Sequence, residues 1–318
     1  MPRYIIHIGP HKTGTSYLQA AFAACRDQLE QRGVWYPDTW SENLGHHKLA
    51  AELRAGISQR PLFLAMNASR YDTVLLSAED LADLRSERIA ELRELIGTSA
   101  VRVVFYCRRW SELVPSGWQE TIKHGSTSTL PEFLTPHAIN PDGSNILNYG
   151  HTIRRFAEHF GLANISLVSY SNLVDSGADL WPHFCRLFLN WPDPPKPQRQ
   201  RVNESMILPE VELIRVLNML GSDRNNLQAY RHSGFNIASI SGAMETATGT
   251  IRMNEGVGVL LRLHEELWRE FGHLMVQPYT EGRLFAPKNA ELRYVRPDYL
   301  LTPGIADRIR SLHQELRA

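Results

Sequence analysis

Several features that mark common classes of protein are scarce or missing in this sequence. The 318-residue chain has only three cysteines, Cys25, Cys107 and Cys185, and none of them belongs to a CxxC pair. Neither a disulfide framework nor a cysteine-based zinc site is therefore indicated. The apolar surroundings of these cysteines predict buried, reduced thiols. No apolar run reaches 18 residues, so the sequence predicts no transmembrane helix.

The chain also lacks an excess of charge of either sign. Lys+Arg and Asp+Glu both number 34, so the formal net charge is zero. A broad nucleic-acid-binding surface is not indicated, and any affinity for an anion must come from a local cluster. No group of metal-ligating residues has a convincing spacing. The first residues contain no apolar segment typical of a signal peptide, which favours a cytoplasmic protein.

The first 190 residues alternate short apolar runs with amphipathic segments. The clearest buried-strand pattern is VRVVFYC at residues 101–107, and similar runs occur at residues 4–8, 34–37, 73–77 and 164–170. Helical periodicity is present in the segments between and after these runs: 15–31, 47–55, 87–96, 110–123, 146–160 and 179–189. This order predicts a three-layer α/β fold in which helices cover a central parallel sheet.

The remaining sequence has a different character. Residues 191–201 (WPDPPKPQRQR) are rich in proline and basic, which is typical of a linker or surface arm. Beyond them, residues 208–220 and 257–271 have helical patterns and strand patterns are scarce. We therefore expect a single domain over residues 1–318, with an α/β core over 1–190 and a mainly helical extension over 191–318.

The segment GPHKTGTS, residues 9–16, follows the first predicted strand and precedes the first predicted helix. A glycine loop at the start of a helix favours anion binding, because backbone N–H groups and the helix dipole both face the bound group. Gly9 and Gly14 have the spacing of a nucleotide-triphosphatase loop, but that loop carries its lysine directly after the second glycine. Here Thr15 follows Gly14, and Lys12 lies inside the loop.

The run PHKTGTS resembles the 5′-phosphosulfate loop of sulfotransferases, whose usual form is Lys-[Ser/Thr]-Gly-Thr-[Thr/Ser]. The resemblance implies a P-loop-like core related to that of nucleotide kinases and 3′-phosphoadenosine-5′-phosphosulfate as the donor. Lys12 would then stabilise the leaving 5′-phosphate, and no metal ion is required. The loop residues that the resemblance assigns to donor binding are Gly9, His11, Lys12, Thr13, Gly14, Thr15 and Ser16.

The same family has a second motif, a strand that ends in arginine with a serine eight residues later, which binds the 3′-phosphate. Arg108 and Ser116 have this spacing after the strand at 101–107. A forked guanidinium and a hydroxyl suit a dianionic phosphate. Family members often have a proline soon after the arginine, whereas this chain has Arg109 and Trp110 there. Either arginine can therefore be the ligand, and the spacing favours Arg108.

The resemblance also implies a general base after a neighbouring strand. Some family members use a histidine and others a glutamate, and the segment TVLLSAED, residues 73–80, supplies Glu79 as the first candidate. His47 is the alternative base, and His11 is expected to shape the loop. By a looser match, Tyr170 is expected to contact the adenine, and Arg199 or Arg201 is a candidate for a second cation near the 3′-phosphate.

The resemblance therefore implies a sulfotransferase that acts on an acceptor hydroxyl, with a carbohydrate or glycolipid as the leading acceptor because the glutamate base resembles that of the glycan-modifying branch. Two alternatives stay open at this stage. One is a P-loop-type kinase in which Glu79 lies on the magnesium side of the nucleotide, and the other is a non-catalytic nucleotide-binding protein. The sequence contains no motif that identifies the acceptor or the oligomeric state.

Overall fold

The computed structural model describes residues 2–56, 71–97, 100–197, 206–221 and 226–317. Arg199 and Arg201 lie outside these residues. The chain forms two compact units, each built from separate segments. The first unit contains Met1–Arg109, Asn148–Val202 and Arg262–Ala286, and the second contains Trp110–Leu147, Asn203–Leu261 and Pro287–Ala318. The expected single domain with a boundary at residue 191 stays a prediction.

The described strands and helices are labelled in chain order. The strands are β1 (Arg3–His7), β2 (Val34–Trp35), β3 (Thr73–Ser77), β4 (Val101–Cys107), β5 (Ile165–Ser169), β6 (Thr248–Asn254), β7 (Met275–Val276) and β8 (Asn289–Val295). The helices are α1 (Thr15–Ala24), α2 (Arg26–Gln31), α3 (His47–Ala55), α4 (Ser86–Ile96), α5 (Trp110–Lys123), α6 (Leu130–Ile139), α7 (Gly150–Phe160), α8 (Tyr170–Asp175), α9 (Leu180–Phe188), α10 (Leu208–Met219), α11 (Asn226–Ser233), α12 (Ala238–Thr246), α13 (Gly258–Phe271) and α14 (Ile305–Glu315).

The first unit is built on a six-stranded parallel sheet in the order β2-β3-β1-β4-β5-β7. Every residue of β3 and β5 is buried, as expected for strands that helices cover on both faces. The predicted α/β class with a central parallel sheet is confirmed. The predicted boundaries of β3, β4, α3 and α5 agree with the structure residue for residue.

Two helix predictions need correction. The segment 15–31 was expected to form one helix, but it is divided at Cys25, whose backbone angles of φ −103° and ψ 20° end α1 before α2 begins. The predicted helix at 146–160 begins only at Gly150. In both cases the apolar periodicity continues through the non-helical residues, so the pattern alone does not show where the helix stops.

In its described residues, the second unit contains helices and an antiparallel pair of strands, β6 and β8, in register from Thr248↔Val295 to Asn254↔Asn289. This pair was not predicted. Most residues of β6 and β8 are exposed or half-buried, so neither strand has the continuous apolar run that revealed β4. The helices α10 and α13 were predicted, whereas α6, α11, α12 and α14 were not.

A hydrophobic cluster covers one side of the sheet in the first unit. The rings of Phe22 on α1 and of Trp181 and Phe184 on α9 pack edge to face, with centroids 5.0–5.7 Å apart in the pairs that Phe22 forms. Cys25 and Cys185 lie in this cluster, and all three cysteines are buried and unpaired, as predicted. Among the described helices, none has the length and hydropathy needed to cross a membrane.

Candidate active site

The candidate site lies at the carboxyl edge of the sheet in the first unit. Strand pairing aligns His7 with Ser77 on one side and with Val104 on the other. The glycine loop after β1, the Ala78–Glu79 segment after β3 and Arg108 after β4 therefore leave the sheet at the same edge. Ligands of parallel α/β sheets bind at this edge, because the loops that follow the strands converge there.

The backbone of the loop needs its glycines. Gly9 has φ 88° and Gly14 has φ 77°, and both angles lie in the region that glycine adopts without steric strain. A Cβ on Gly9 would lie 2.9 Å from the Cβ of Glu79, and one on Gly14 would lie 2.6 Å from Cδ2 of Leu180. The loop thus packs closely against the segment after β3 at one end and against α9 at the other.

The hydroxyls of Thr13 and Thr15 stabilise the loop internally. Each donates a hydrogen bond to the backbone oxygen of Pro10, at 2.6 Å from Thr13 and 3.4 Å from Thr15. Both threonines are buried. Their hydroxyl protons are therefore directed at the protein, and their backbone N–H groups are the donors that a bound anion would use. Lys12 adopts a left-handed conformation with φ 66° at the turn of the loop.

Helix α1 begins directly after Gly14, and its first intrahelical bond runs from Leu18 N–H to the Gly14 oxygen. The first turn, which includes Thr15 and Ser16, contains no acidic residue, and no side chain caps it. The N–H groups of a first helical turn have no acceptor within their own helix. This end of α1 therefore presents a partial positive charge beside Lys12.

Arg108 reaches the loop from the neighbouring strand. Its Nη1 donates a hydrogen bond to the backbone oxygen of Lys12, and its guanidinium lies 5.5 Å from the centre of the Tyr170 ring. The hydroxyl of Tyr149 holds the Arg108 backbone by donating to its carbonyl oxygen. Tyr170 itself follows β5, which pairs with the end of β4. Lys12, Arg108 and Tyr170 are thus neighbours around one loop.

Arg109 has a different environment from Arg108. Its side chain is 1% exposed, and it donates to the backbone oxygen of Ala286 and to the carboxylate of Asp175. Its backbone N–H bonds to the hydroxyl of Ser171 at 2.9 Å. Arg109 therefore ties the end of β4 to α8 and to the segment before Pro287. Of the two arginines, Arg108 is the one that contacts the loop.

Ser116 lies on α5, in the second unit, whereas Arg108 belongs to the first. Their joint binding of one phosphate stays a prediction. Three other side chains on α5 or just after it have partners close in the sequence. The indole N–H of the buried Trp118 donates to the backbone oxygen of Ser128, and the side chains of Lys123 and His124 both lie within 3.5 Å of the Glu120 carboxylate.

An acidic cluster follows β3 on the other side of the loop. Glu79 accepts a hydrogen bond on Oε2 from Gln19 of α1 at 3.0 Å. The same oxygen lies 3.9 Å from Nε2 of His47, while Nδ1 of His47 bonds to Oδ2 of Asp80 at 2.9 Å. The two candidate bases, Glu79 and His47, are therefore adjacent. The hydrogen bond to Asp80 raises the pKa of His47 and lowers the pKa of Asp80.

His11 projects from the loop toward the carboxylates of Asp80 and Asp83. Its Nε2 lies 3.6 Å from Asp80 and 3.4 Å from Asp83. Partial burial by itself would lower the pKa of His11, but the hydrogen bond to Asp83 and the nearby carboxylate charges outweigh it, so the pKa is raised. In the described part of the chain, one nitrogen or oxygen atom of each of these three side chains lies within 4.8 Å of the others.

Sequence reasoning missed several residues of this site. Asp80 was noted only as part of the TVLLSAED segment, and Gln19, Tyr149 and Leu180 were not considered. Gln19 lies outside the apolar face that the sequence pattern assigned to this helix, yet its side chain is 1% exposed. Its burial comes from contacts with the end of β3 and the segment after it, which the local pattern does not show.

Comparisons with known proteins gave a structural similarity and no sequence match. No family model matches the sequence, and no curated protein matches it. The structure is similar to the crystal structure of a sulfotransferase from Alicyclobacillus acidocaldarius, with a TM-score of 0.41 and 12% sequence identity. The match covers 74% of this chain and 97% of the other.

Proposed function

We propose that this protein is a sulfotransferase that moves a sulfuryl group from 3′-phosphoadenosine-5′-phosphosulfate to an acceptor hydroxyl. The observation that carries the proposal is the arrangement of Lys12 and Arg108. Lys12 lies in a left-handed turn between two glycines that need their positive φ, directly before an uncapped helix start. Arg108 contacts the same loop from the neighbouring strand. This arrangement offers two cations and a set of backbone N–H groups to a ligand that carries more than one anionic group.

The residues of the loop fit the 5′ end of such a donor. The close approaches at Gly9 and Gly14 leave no room for a side chain at these two positions, which keeps the loop backbone there accessible to a phosphate. Lys12, the backbone N–H groups of residues 13–16 and the first turn of α1 would hold the 5′-phosphosulfate. Arg108 would hold the 3′-phosphate, and Tyr170 would contact the adenine, while Ser116 stays the second 3′-phosphate ligand that the resemblance implies. The donor supplies the sulfuryl group and a bisphosphate leaving group.

Lys12 is proposed to stabilise the charge that develops on the leaving 5′-phosphate oxygen. Group transfer of this kind has a loose transition state with the acceptor and leaving oxygens in line. A compact ammonium at the leaving oxygen interacts more strongly with that transition state than with the ground state. Because a sulfuryl group carries less charge than a phosphoryl group, no metal ion is assigned a role in this step.

Glu79 is the proposed general base, and His47 is the alternative. The base takes the proton of the acceptor hydroxyl while the acceptor oxygen bonds to sulfur and the bond between sulfur and the bridging oxygen breaks. Glu79 is supported by its position, since its Cα and Cβ lie directly against Gly9 of the loop that would hold the donor.

A carbohydrate or glycolipid hydroxyl is the proposed acceptor class, because a glutamate at the base position resembles the arrangement in the glycan-modifying sulfotransferases.

The test is incubation of the protein with a donor labelled in its sulfate, together with a panel of compounds that carry sugar, lipid or phenol hydroxyls. Labelled product from a sugar-bearing acceptor is expected. Transfer of the γ-phosphate of ATP in the presence of magnesium, without sulfate transfer, would replace the proposal with the kinase alternative.

A further inference from the structure

Asp80 lies between the two histidines of the candidate site. Its Oδ2 is 2.9 Å from Nδ1 of His47, and its Oδ1 is 3.6 Å from Nε2 of His11. Arg54 donates to the backbone oxygen of Asp80 at 2.7 Å, which fixes the segment that carries the carboxylate. Asp83 provides a natural comparison, because within the described residues it pairs with His11, at 3.4 Å, and not with His47.

The contact with Asp80 determines which nitrogen of His47 carries the proton when the ring is neutral. A carboxylate can only accept, so Nδ1 must be the donor in the 2.9 Å bond. The lone pair of neutral His47 is then on Nε2, and this nitrogen faces Oε2 of Glu79 at 3.9 Å. Gln19 holds that oxygen from the other side at 3.0 Å, so the carboxylate and the ring have fixed relative orientations.

We infer that Asp80 is a positioning residue that joins His47 and Glu79 into one acid–base unit. This inference rests on the proposed function for its catalytic meaning. A proton taken from the acceptor hydroxyl by the Glu79 carboxylate can be shared with Nε2 of His47, while Asp80 keeps its negative charge and retains the Nδ1 proton in its hydrogen bond. The unit as a whole gains one proton for each hydroxyl that loses one, and solvent removes that proton after transfer.

The charged groups that face His47 come from several elements: Glu79 and Asp80 after β3, Glu42 and His46 from the segment before α3, and His11 and Arg54 through their contacts with Asp80. The three carboxylates favour the imidazolium form of His47, and the neighbouring histidine opposes it. Asp80 is the only one of the carboxylates that bonds to Nδ1 in the described residues.

The matched experiment compares Asp80→Asn with Asp83→Asn. In the intact protein, the Cε1 proton of His47 is titrated by NMR in wild type and in both variants. Asp80→Asn is expected to lower the His47 pKa by about one pH unit or more, since it removes a charged acceptor from Nδ1. Asp83→Asn is expected to leave the His47 titration unchanged and to lower only the pKa of His11. Equal shifts of His47 in both variants, or no shift in Asp80→Asn, would refute the inference.

Turnover gives the second readout. Asp80→Asn should lower kcat by at least about tenfold and move the acidic limb of its pH profile, while the Kd for adenosine 3′,5′-bisphosphate stays within about twofold of wild type. A profile that keeps its shape would mean that Asp80 only supports the fold. If the bisphosphate does not bind even to wild type, the proposed function fails, and the NMR result still decides the role of Asp80.

A measurement on wild type covers the case in which Asp80→Asn does not fold. The ¹⁵N chemical shifts of neutral His47 report its tautomer directly. The Nδ1–H tautomer is expected, and a dominant Nε2–H tautomer would contradict the inference.

Discussion

The guanidinium of Arg108 donates a hydrogen bond to the backbone oxygen of Lys12, although 96 residues separate the two in the sequence. The contact connects the end of β4 with the loop after β1. It places the charge of Arg108 beside a loop that already contains Lys12 and leads into the start of α1. The next residue, Arg109, is buried in contacts with Asp175 and Ala286.

Substituting these adjacent arginines should give opposite results. Arg108→Met is expected to weaken the binding of adenosine 3′,5′-bisphosphate by about 2 kcal/mol more than the binding of adenosine 5′-monophosphate. The difference arises because one charged hydrogen bond to the 3′-phosphate is lost. Arg109→Met is expected to lower the free energy of unfolding by about 2 kcal/mol, because the backbone oxygen of Ala286 and the partly exposed carboxylate of Asp175 lose a buried donor. Calorimetric binding and denaturant unfolding measure the two effects. Equal losses for both nucleotides in Arg108→Met would assign Arg108 to the loop alone.

Lys12 should affect turnover more than binding. Lys12→Asn removes the ammonium but tolerates the left-handed backbone, since asparagine is enriched there. We expect kcat to fall by about 10²-fold or more, with little change in the KM of the donor. Lys12→Arg should restore little activity, because a planar fork replaces a compact ammonium. If Lys12→Asn changes only the KM of the donor, Lys12 stabilises the bound donor and the transition state equally.

Gly9 should be needed for more than its backbone angle. Gly177 has a similar φ of 71°, and no atom of the described residues lies within 4 Å of the position that a Cβ would take there, so Gly177→Ala tests the conformational strain alone. We expect that strain to cost on the order of 1 kcal/mol of stability. Gly9→Ala should cost more and should also lower kcat by at least about tenfold, because the new methyl displaces Glu79. Steady-state kinetics and thermal unfolding of the two variants provide the comparison.

The buried histidines predict a loss of stability in acid. Burial lowers the pKa of His7 to about 3 and the pKa values of His46 and His264 to about 4. The unfolded chain binds a proton at each of them below about pH 6.5, whereas the folded chain does not, so the free energy of unfolding falls as pH falls through that range. In His7→Gln, which keeps a neutral polar group, the slope of that free energy between pH 4 and 6 should decrease by about 1.4 kcal/mol per pH unit. An unchanged slope would mean that His7 titrates normally in the folded protein.

The fold of the first unit was largely predictable from the sequence. Strands buried on both faces need continuous apolar runs, and VRVVFYC at β4 is such a run. The strands β6 and β8 escaped prediction because they cover little of the core and their exposed residues follow no clear alternation. Helix ends such as Cys25 depend on backbone angles that the apolar periodicity does not encode.

The candidate site was predictable only where its signal is local. The glycine loop can be recognised from eight consecutive residues, because its conformation depends on Gly9 and Gly14. The contact between His47 and Asp80 joins residues that are 33 positions apart, and it depends on how α3 lies beside the end of β3. The residues around His47 and Asp80 form no local sequence pattern that distinguishes a paired side chain from an exposed one.

The central claim is that the loop and Arg108 bind a nucleotide with phosphates at its 5′ and 3′ positions. Isothermal titration of the whole protein with adenosine 3′,5′-bisphosphate and with ATP, each with and without magnesium, tests it most directly. The account predicts that the bisphosphate binds at least about tenfold more tightly than ATP in both conditions, a difference of about 1.4 kcal/mol. ATP binding that equals or exceeds bisphosphate binding would contradict it.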